Sequence, residues 1–403
     1  MKKLWNKNFV LILQGNAVSA IGDILYSVAI GYWVYAQTNS SALMGIMSSI
    51  SMFVVMFVSP FSGTIIDKCN RKIVIVGMDV LRGIIMLAIG ILAFSNQLNV
   101  TFVLIAAFLA AMCSVFFSPA VNTLLIDIIP HDDMIRGQSV QSGITSFTNL
   151  IGKALSGALV AFFGIPLIIV MNGISYLLSA LTEMFIEVPK TKRQGEKVTI
   201  KGIFEDFKVA VKEIYGNKFL RLFIPSALIL NLLGAGPMTL MLPFVLEKGF
   251  TVDMYGYLMS VETAASLICV FILGIVKLKP HIRYWGMGIG FMTSVFFYIL
   301  TYLSTDYTMM CICLFIGCFG NSIGNAVFNA SLVLAIPEGN RGAILGFIGA
   351  TSTGGCALSA VIFGVLCDLF PLYIVFVAGN VLSILPMIYL CFNKRTKEFV
   401  MSH

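Results

Sequence analysis

Charge is scarce in this chain. Of its 403 residues, 11% are Asp, Glu, Lys or Arg, while 58% are hydrophobic. A soluble domain carries about 25% charged residues, so an ordinary globular fold is excluded. Histidine is rare, with three residues, and so is tryptophan, at Trp5, Trp33 and Trp285. Nine cysteines occur (Cys69, Cys113, Cys269, Cys311, Cys313, Cys318, Cys356, Cys367 and Cys391), mostly inside apolar runs and never as a CxxC pair. They read as small apolar fillers rather than a disulfide framework or a zinc site. The chain contains no G-x-x-x-x-G-K-[ST] phosphate loop, so direct drive by ATP on this chain is not expected. Nor does it show a clustered His/Asp/Glu set with metal-ligand spacing or a Ser-His-Asp arrangement. A membrane-embedded enzyme, such as a lipid-modifying transferase, is therefore disfavoured, and no cofactor is expected.

Long apolar runs are abundant. A helix needs about 20 apolar residues to cross a bilayer. Twelve such segments can be drawn, at 9–36, 42–66, 73–95, 100–126, 138–163, 167–187, 219–246, 254–276, 284–303, 308–334, 342–366 and 372–392. The runs are continuous and do not alternate, which excludes a transmembrane barrel. The fold class is an all-α polytopic membrane protein. Met1–Phe9 is basic like a signal peptide, but the apolar run behind it is about 28 residues, too long for a cleaved core, so it reads as a first membrane helix.

Most connections are short. The exception, 188–218, is polar and strongly basic. Within it, Ile203, Phe204, Phe207, Val211 and Ile214 form a helical stripe, which predicts an amphipathic helix over 201–214 lying on the membrane face. Of the 26 Lys and Arg, all but Arg82, Lys153 and Lys248 fall on one side if Met1 is cytoplasmic. This asymmetry predicts that both termini are cytoplasmic. A three-part organisation follows: a six-helix bundle over 1–187, a basic linker over 188–218, and a second six-helix bundle with a short tail over 219–403. The linker suits anionic lipid headgroups and suggests no nucleic-acid role.

The halves also carry an internal echo. Ile129-Pro130 followed by Arg136-Gly137 is matched by Ile336-Pro337 followed by Arg341-Gly342, and Asn122 and Asn329 each stand eight residues before the proline. Two six-helix repeats joined by a linker are the pattern of a secondary transporter.

The loop after the second segment reads Gly63-Thr-Ile-Ile-Asp67-Lys68-Cys69-Asn70-Arg71-Lys72. It resembles the G-x-x-x-D-[RK]-x-G-[RK]-[RK] signature of the major facilitator superfamily. Asn70 replaces the glycine, and asparagine tolerates the left-handed turn that glycine supplies. Arg71 and Lys72 can reach carboxylates on neighbouring helices, and Asp127 stands where the family's charge-relay partner would. Ser19-Ala-Ile-Gly22-Asp23, Thr38-Asn-Ser40-Ser41-Ala42, Asp79-Val-Leu-Arg82, Phe117-Ser-Pro119-Ala120 and the two Arg-Gly pairs are similar to the macrolide-efflux branch. The resemblance implies export of hydrophobic drugs, or of siderophores as in some relatives, driven by the proton gradient. Two departures stand out: Gly152-Lys153 and Gly157 take the place of a Gly-Pro motif in the fifth segment, and Ala343 replaces an arginine.

Ionisable groups at mid-membrane are costly, so each suggests a function. Asp23 lies about 14 residues into the first segment, about 20 Å along it. Lys153 in the fifth segment and Glu262 in the eighth fall near the same layer. The facilitator fold makes the first and fifth helices neighbours and brings the fifth to the eighth, so Lys153 can pair with Asp23, with Glu262, or with each in turn. A carboxylate away from water takes a proton more readily, and a nearby lysine opposes this. Protonating Glu262 would then loosen a Lys153–Glu262 contact and bias opening. A static ion pair that sets helix packing is the rival reading. Asp79 and Arg82 are three apart and can pair locally, which favours a gate or packing role. Glu183 and Glu187 are expected at the membrane interface.

The resemblance also places the first, fourth, seventh and tenth helices around a central cavity. These carry Asn16, Tyr26, Phe116, Phe117, Asn122, Asn231, Met238, Met241, Asn325 and Asn329. Aromatics, methionines and a few amides suit an amphipathic molecule, and methionine surfaces can repack around different ligands. The same residues also serve packing and helix–helix adhesion. Gly286, Gly288, Gly290, Gly320, Gly324, Gly342 and Gly346 allow close helix approach. The leading expectation is a proton-coupled exporter of hydrophobic or amphipathic compounds working by alternating access, with protons and membrane lipids as its other partners and a monomer as its working form. An importer or facilitator of a small metabolite on the same fold is the first alternative; a transporter-like scaffold or sensor without transport is another.

Overall fold

The computed structural model describes residues 4–130, 133–187, 208, 211–217, 220–276, 279–336, 341–391, 393–394 and 396–398. The expected helix over 201–214 lies largely outside these residues, although 211–216 is helical. The side chains of Asp67, Lys68 and Arg341, and residue Pro337, also lie outside the described part.

The first helix, α1 (Lys7–Thr38), is capped by Asn6, whose side chain accepts the Phe9 N–H at 2.9 Å, and is stopped by Asn39 in the left-handed region at φ 48°. It is followed by α2 (Ser41–Lys68), α3 (Arg71–Phe94), α4 (Val100–Ile128), α5 (Met134–Phe163) and α6 (Ile165–Glu183). Then come α7 (Leu220–Thr239), a short α8 (Met241–Glu247), α9 (Val252–Ile275), α10 (Pro280–Leu303), α11 (Tyr307–Ala335), α12 (Arg341–Leu369) and α13 (Leu372–Cys391). Twelve of these, all but α8, are long and apolar enough to cross a membrane.

The seventh segment differs from its expectation. A continuous run over 219–246 breaks at Leu240 into α7 and α8. Pro237 and Pro243 flank the break and lack the N–H groups that would bond one turn back, which weakens the helix at this stretch. The internal echo has a structural counterpart. Both α4 and α11 span 29 residues, and both stop with an extended isoleucine, Ile129 or Ile336, before a proline. Proline pushes the preceding residue out of the helical region, which ends the helix there.

Asn70 is not left-handed. It has φ −72°, caps α3, and accepts the Lys72 N–H at 3.1 Å. The departure from glycine is explained by capping rather than by a tolerated turn.

The chain forms two units. One comprises Met1–Asn39, Ile50–Val198 and Thr251–Tyr257; the other comprises Ser40–Ser49, Thr199–Phe250 and Leu258–His403. The division thus differs from a single cut at the linker. In the second unit the start of α2 lies on α12, where Gly45 and Gly364 bring the backbones together, and Asp368 accepts the Ser41 N–H and the Ser40 hydroxyl, both at 2.6 Å. In the first unit the start of α9 lies on α5 through Gly157 and Gly256.

Within the first unit, α6 packs on α1 and α3, and α3 also packs on α4. Gly15, Ser19 and Gly22 are buried along one face of α1, and a Cβ on Gly22 would meet Asn172 and Ser175 of α6. Gly83 and Gly173 do the same for α3 and α6. One end of this unit is closed by an apolar cluster including Phe9, Ile12, Ile75, Leu124, Ile128 and Ile186.

In the second unit α10 packs on α11 and α13, and α7 packs on α12 and α13. Of the expected close-approach glycines, Gly290, Gly320 and Gly324 make tight contacts, whereas Gly346 faces open space. The core includes the stacked rings of Phe223 and Phe328, 3.8 Å apart.

Candidate functional site

Two polar regions stand out, one in each unit. The first is a chain of ionisable side chains that begins at Asp23 on α1. Asp23 is half-buried; it accepts hydrogen bonds from the Tyr176 hydroxyl and from the Asn172 amide at 3.4 Å, both on α6. The Tyr176 ring also lies 4.8 Å from the guanidinium of Arg82 on α3, whose other face meets the Phe117 ring of α4 at 4.2 Å. Arg82 pairs with Asp79 at 3.0 Å. Glu183 of α6 completes the chain, accepting the Ser179 hydroxyl at 3.3 Å and standing within hydrogen-bonding reach of Asp79.

The sequence expectation for this region needs two corrections. Glu183 is completely enclosed rather than interfacial, because Gly15 lets α1 lie directly against it. Its neighbour Glu187 is exposed, 3.7 Å from Lys7. Phe117, expected in a cavity wall, is packed in the core of the first unit, where its ring carries the Arg82 guanidinium. Asn172, Tyr176 and Ser179 were not singled out from the sequence. They stand with Glu183 at intervals of four, three and four, a polar stripe along one face of an otherwise apolar helix, and that spacing was the available signal.

The loop motif is partly assembled. Arg71 at the start of α3 pairs with Asp127 near the end of α4, with both side chains buried. Lys72 is half-buried and Gly63 has open space around it. Lys153 is half-buried on α5, where its carbonyl lies against Gly256 of α9. Lys153 belongs to the first unit and Glu262 to the second.

The second polar region is a cavity of about 540 Å³ within the second unit. Asn231, Met238, Glu262, Asn325 and Asn329 all line it, as do Asn321, Asn380, Ser266, Ser294, Ser352, Ser383 and Tyr298. The Asn231 amide donates to the Ser352 hydroxyl at 2.9 Å, and Asn325 donates to the Asn321 side chain at 3.0 Å. Phe223, Phe291, Phe328 and Met387 supply the apolar wall. Met241 is fully buried in α8 and is not part of this lining, because the break at Leu240 separates it from α7. In the first unit Asn16, Tyr26 and Phe116 are half-buried and Asn122 is exposed. The stripe Asn321, Asn325, Asn329 repeats every four residues; two of its three members were recognised from sequence.

One family profile, that of the Major Facilitator Superfamily, matches residues 12–360, from the first span into the eleventh. The chain belongs to the Major Facilitator Superfamily. As a facilitator it is a multi-pass membrane protein with the fold of transporters rather than enzymes. It is 22% identical over 186 residues to macrolide efflux protein A of Streptococcus pyogenes, a match covering 46% of each chain. It is 27% identical over 227 residues to a protein of Bacillus subtilis named as a bacilysin exporter, BacE, covering 54% of this chain and 53% of that one. The matches thus span about half the length of these curated relatives. Among solved structures, a bacterial homologue of the human lysosomal transporter Spinster aligns over 99% of this chain and 97% of its own, with a TM-score of 0.71 at 14% identity. The nucleoside transporter NupG aligns over 95% and 99%, with a TM-score of 0.71 at 14% identity. At these identities the structural likeness speaks for the facilitator fold alone.

Proposed function

We propose that this facilitator exports hydrophobic or amphipathic compounds by alternating access, in exchange for protons. The observation that carries the reading is the cavity of the second unit. Its volume of about 540 Å³ suits a ligand of drug size, and its wall combines aromatic and methionine surface with amides, hydroxyls and one carboxylate, Glu262. Such a wall accommodates an apolar body, hydrogen-bonding groups and a cationic substituent. The names of the macrolide and bacilysin relatives support the outward direction. Asp23, tied to a network of further carboxyl groups, suits a proton-responsive role, and Lys153 and Glu262 are the other intramembrane charges of the mechanism. The Arg71–Asp127 pair serves the gate at the end of the spans that carries the basic loops. In this reading the protein resides in the cell membrane with both termini cytoplasmic.

The test is accumulation of a cationic dye and a labelled macrolide in cells overproducing the protein, with and without a protonophore, beside Asp23→Asn at matched membrane abundance. Lower accumulation that both the protonophore and the substitution abolish is the expected result. Uptake that rises on overproduction would overturn the exporter reading in favour of import of a small metabolite. Unchanged accumulation of both probes would reject these compounds as substrates and direct the assay to siderophores and peptides.

A further inference from the structure

One guanidinium, Arg82, is set among three carboxyl groups, Asp23, Asp79 and Glu183. Asp79 and Glu183 are both fully enclosed and stand within hydrogen-bonding reach of each other. Asp79 Oδ1 faces the Arg82 guanidinium at 3.0 Å, while Asp79 Oδ2 and Glu183 Oε2 have no hydrogen-bond donor among the described residues. Ser179 provides one hydroxyl, spent on Glu183 Oε1. Two carboxylate oxygens that face each other without a donor repel; a single proton converts the contact into a hydrogen bond. Buried oxygens left without a donor are costly, and one shared proton supplies that donor.

We propose that Asp79 and Glu183 form a proton-binding site, holding one proton that is bonded to one carboxyl and donated to the other. The surrounding groups are consistent with this assignment. From α3, Arg82 neutralises the single negative charge that remains on the pair. From α6 and α1, Tyr176 ties Arg82 to Asp23, with Tyr26 one turn further along α1. From α4, Cys113 and Phe117 close the remaining side. Loss of the shared proton leaves a second negative charge beside Arg82 and draws the guanidinium away from Asp23. The site would therefore transmit its protonation state across α6 to the half-buried carboxylate on α1. Its use in transport rests on the proton-exchange reading above; its existence does not.

The experiment is infrared spectroscopy of the purified full chain in detergent, without any substrate. At neutral pH the wild type should show the C=O stretch of a buried protonated carboxyl, which shifts in D₂O and disappears as the pH is raised. Asp79→Asn and Glu183→Gln should each remove this band, whereas Asp23→Asn and the conservative Glu183→Asp should keep it. Absence of the band from the wild type overturns the proposal whether or not the variants fold. A band that survives both Asp79→Asn and Glu183→Gln overturns it as well. Loss of dye export in a protein that shows the band would instead count against the exchange mechanism.

Discussion

Asp127 and Arg71 show how much a single pair can carry in this chain. Their side chains are 4% and 8% exposed, so water solvates neither charge well. Removing one partner of a buried pair costs about 3–5 kcal/mol, while replacing both with apolar residues is often neutral. Arg71→Ala is therefore expected to lower unfolding stability in detergent by about that amount, and Arg71→Met with Asp127→Leu to recover most of it. A double variant as unstable as the single one would mean that the two side chains act separately. The pairing was legible in sequence, because the loop motif contains Arg71 and the family resemblance places Asp127 as its charge-relay partner. The Asp23–Tyr176 bond was not. Counting residues along a helix gives the depth of Asp23, but its partner depends on which face of α6 turns toward α1.

At the scale of the helix, small residues decide which contacts exist. Gly22 sits where a side chain would collide with Asn172 and Ser175, next to the residue that bonds Tyr176. Overpacking such a contact costs about 1–3 kcal/mol. Gly22→Val is expected to lower the thermal unfolding temperature and to weaken the response of export to Asp23. Gly63→Ala, in open space on α2, should leave stability within about 0.5 kcal/mol or raise it slightly through helix propensity. Thermal unfolding of both variants in the same detergent checks this contrast. Equal losses would show that the α1–α6 approach is not set by Gly22. Helix ends were more legible than helix contacts. Asn6, Asn99 and Asp306 each accept an N–H of the first turn, and prolines end α4 and α11. The break after α7 was missed because two prolines inside an apolar run do not alter its hydropathy.

For the whole molecule, orientation is the property that the charge pattern addresses most directly. Cys69 is exposed in the loop between α2 and α3, beside Lys68, Arg71 and Lys72. In a variant that retains Cys69 as its sole cysteine, a membrane-impermeant maleimide should label inverted vesicles and leave intact cells unlabelled. Labelling of intact cells would reverse the orientation. This outcome also bears on the proposed function, because it fixes which side of the membrane the Arg71–Asp127 pair faces.

By itself the sequence determined the number of spans, the internal echo and the charge asymmetry, because each depends on local composition and on the thickness of the bilayer. The motif around Asp67 and Arg71 identified the family. Tertiary structure alone decided that Glu183 is enclosed, that Phe117 carries a guanidinium, and that Asp79, Arg82, Tyr176 and Asp23 form one connected set. The reason is physical. In water, a helix announces its inward face by the apolar stripe it buries. In a bilayer both faces are apolar, so the inward face is chosen by close packing of small residues and by the partners that polar side chains find.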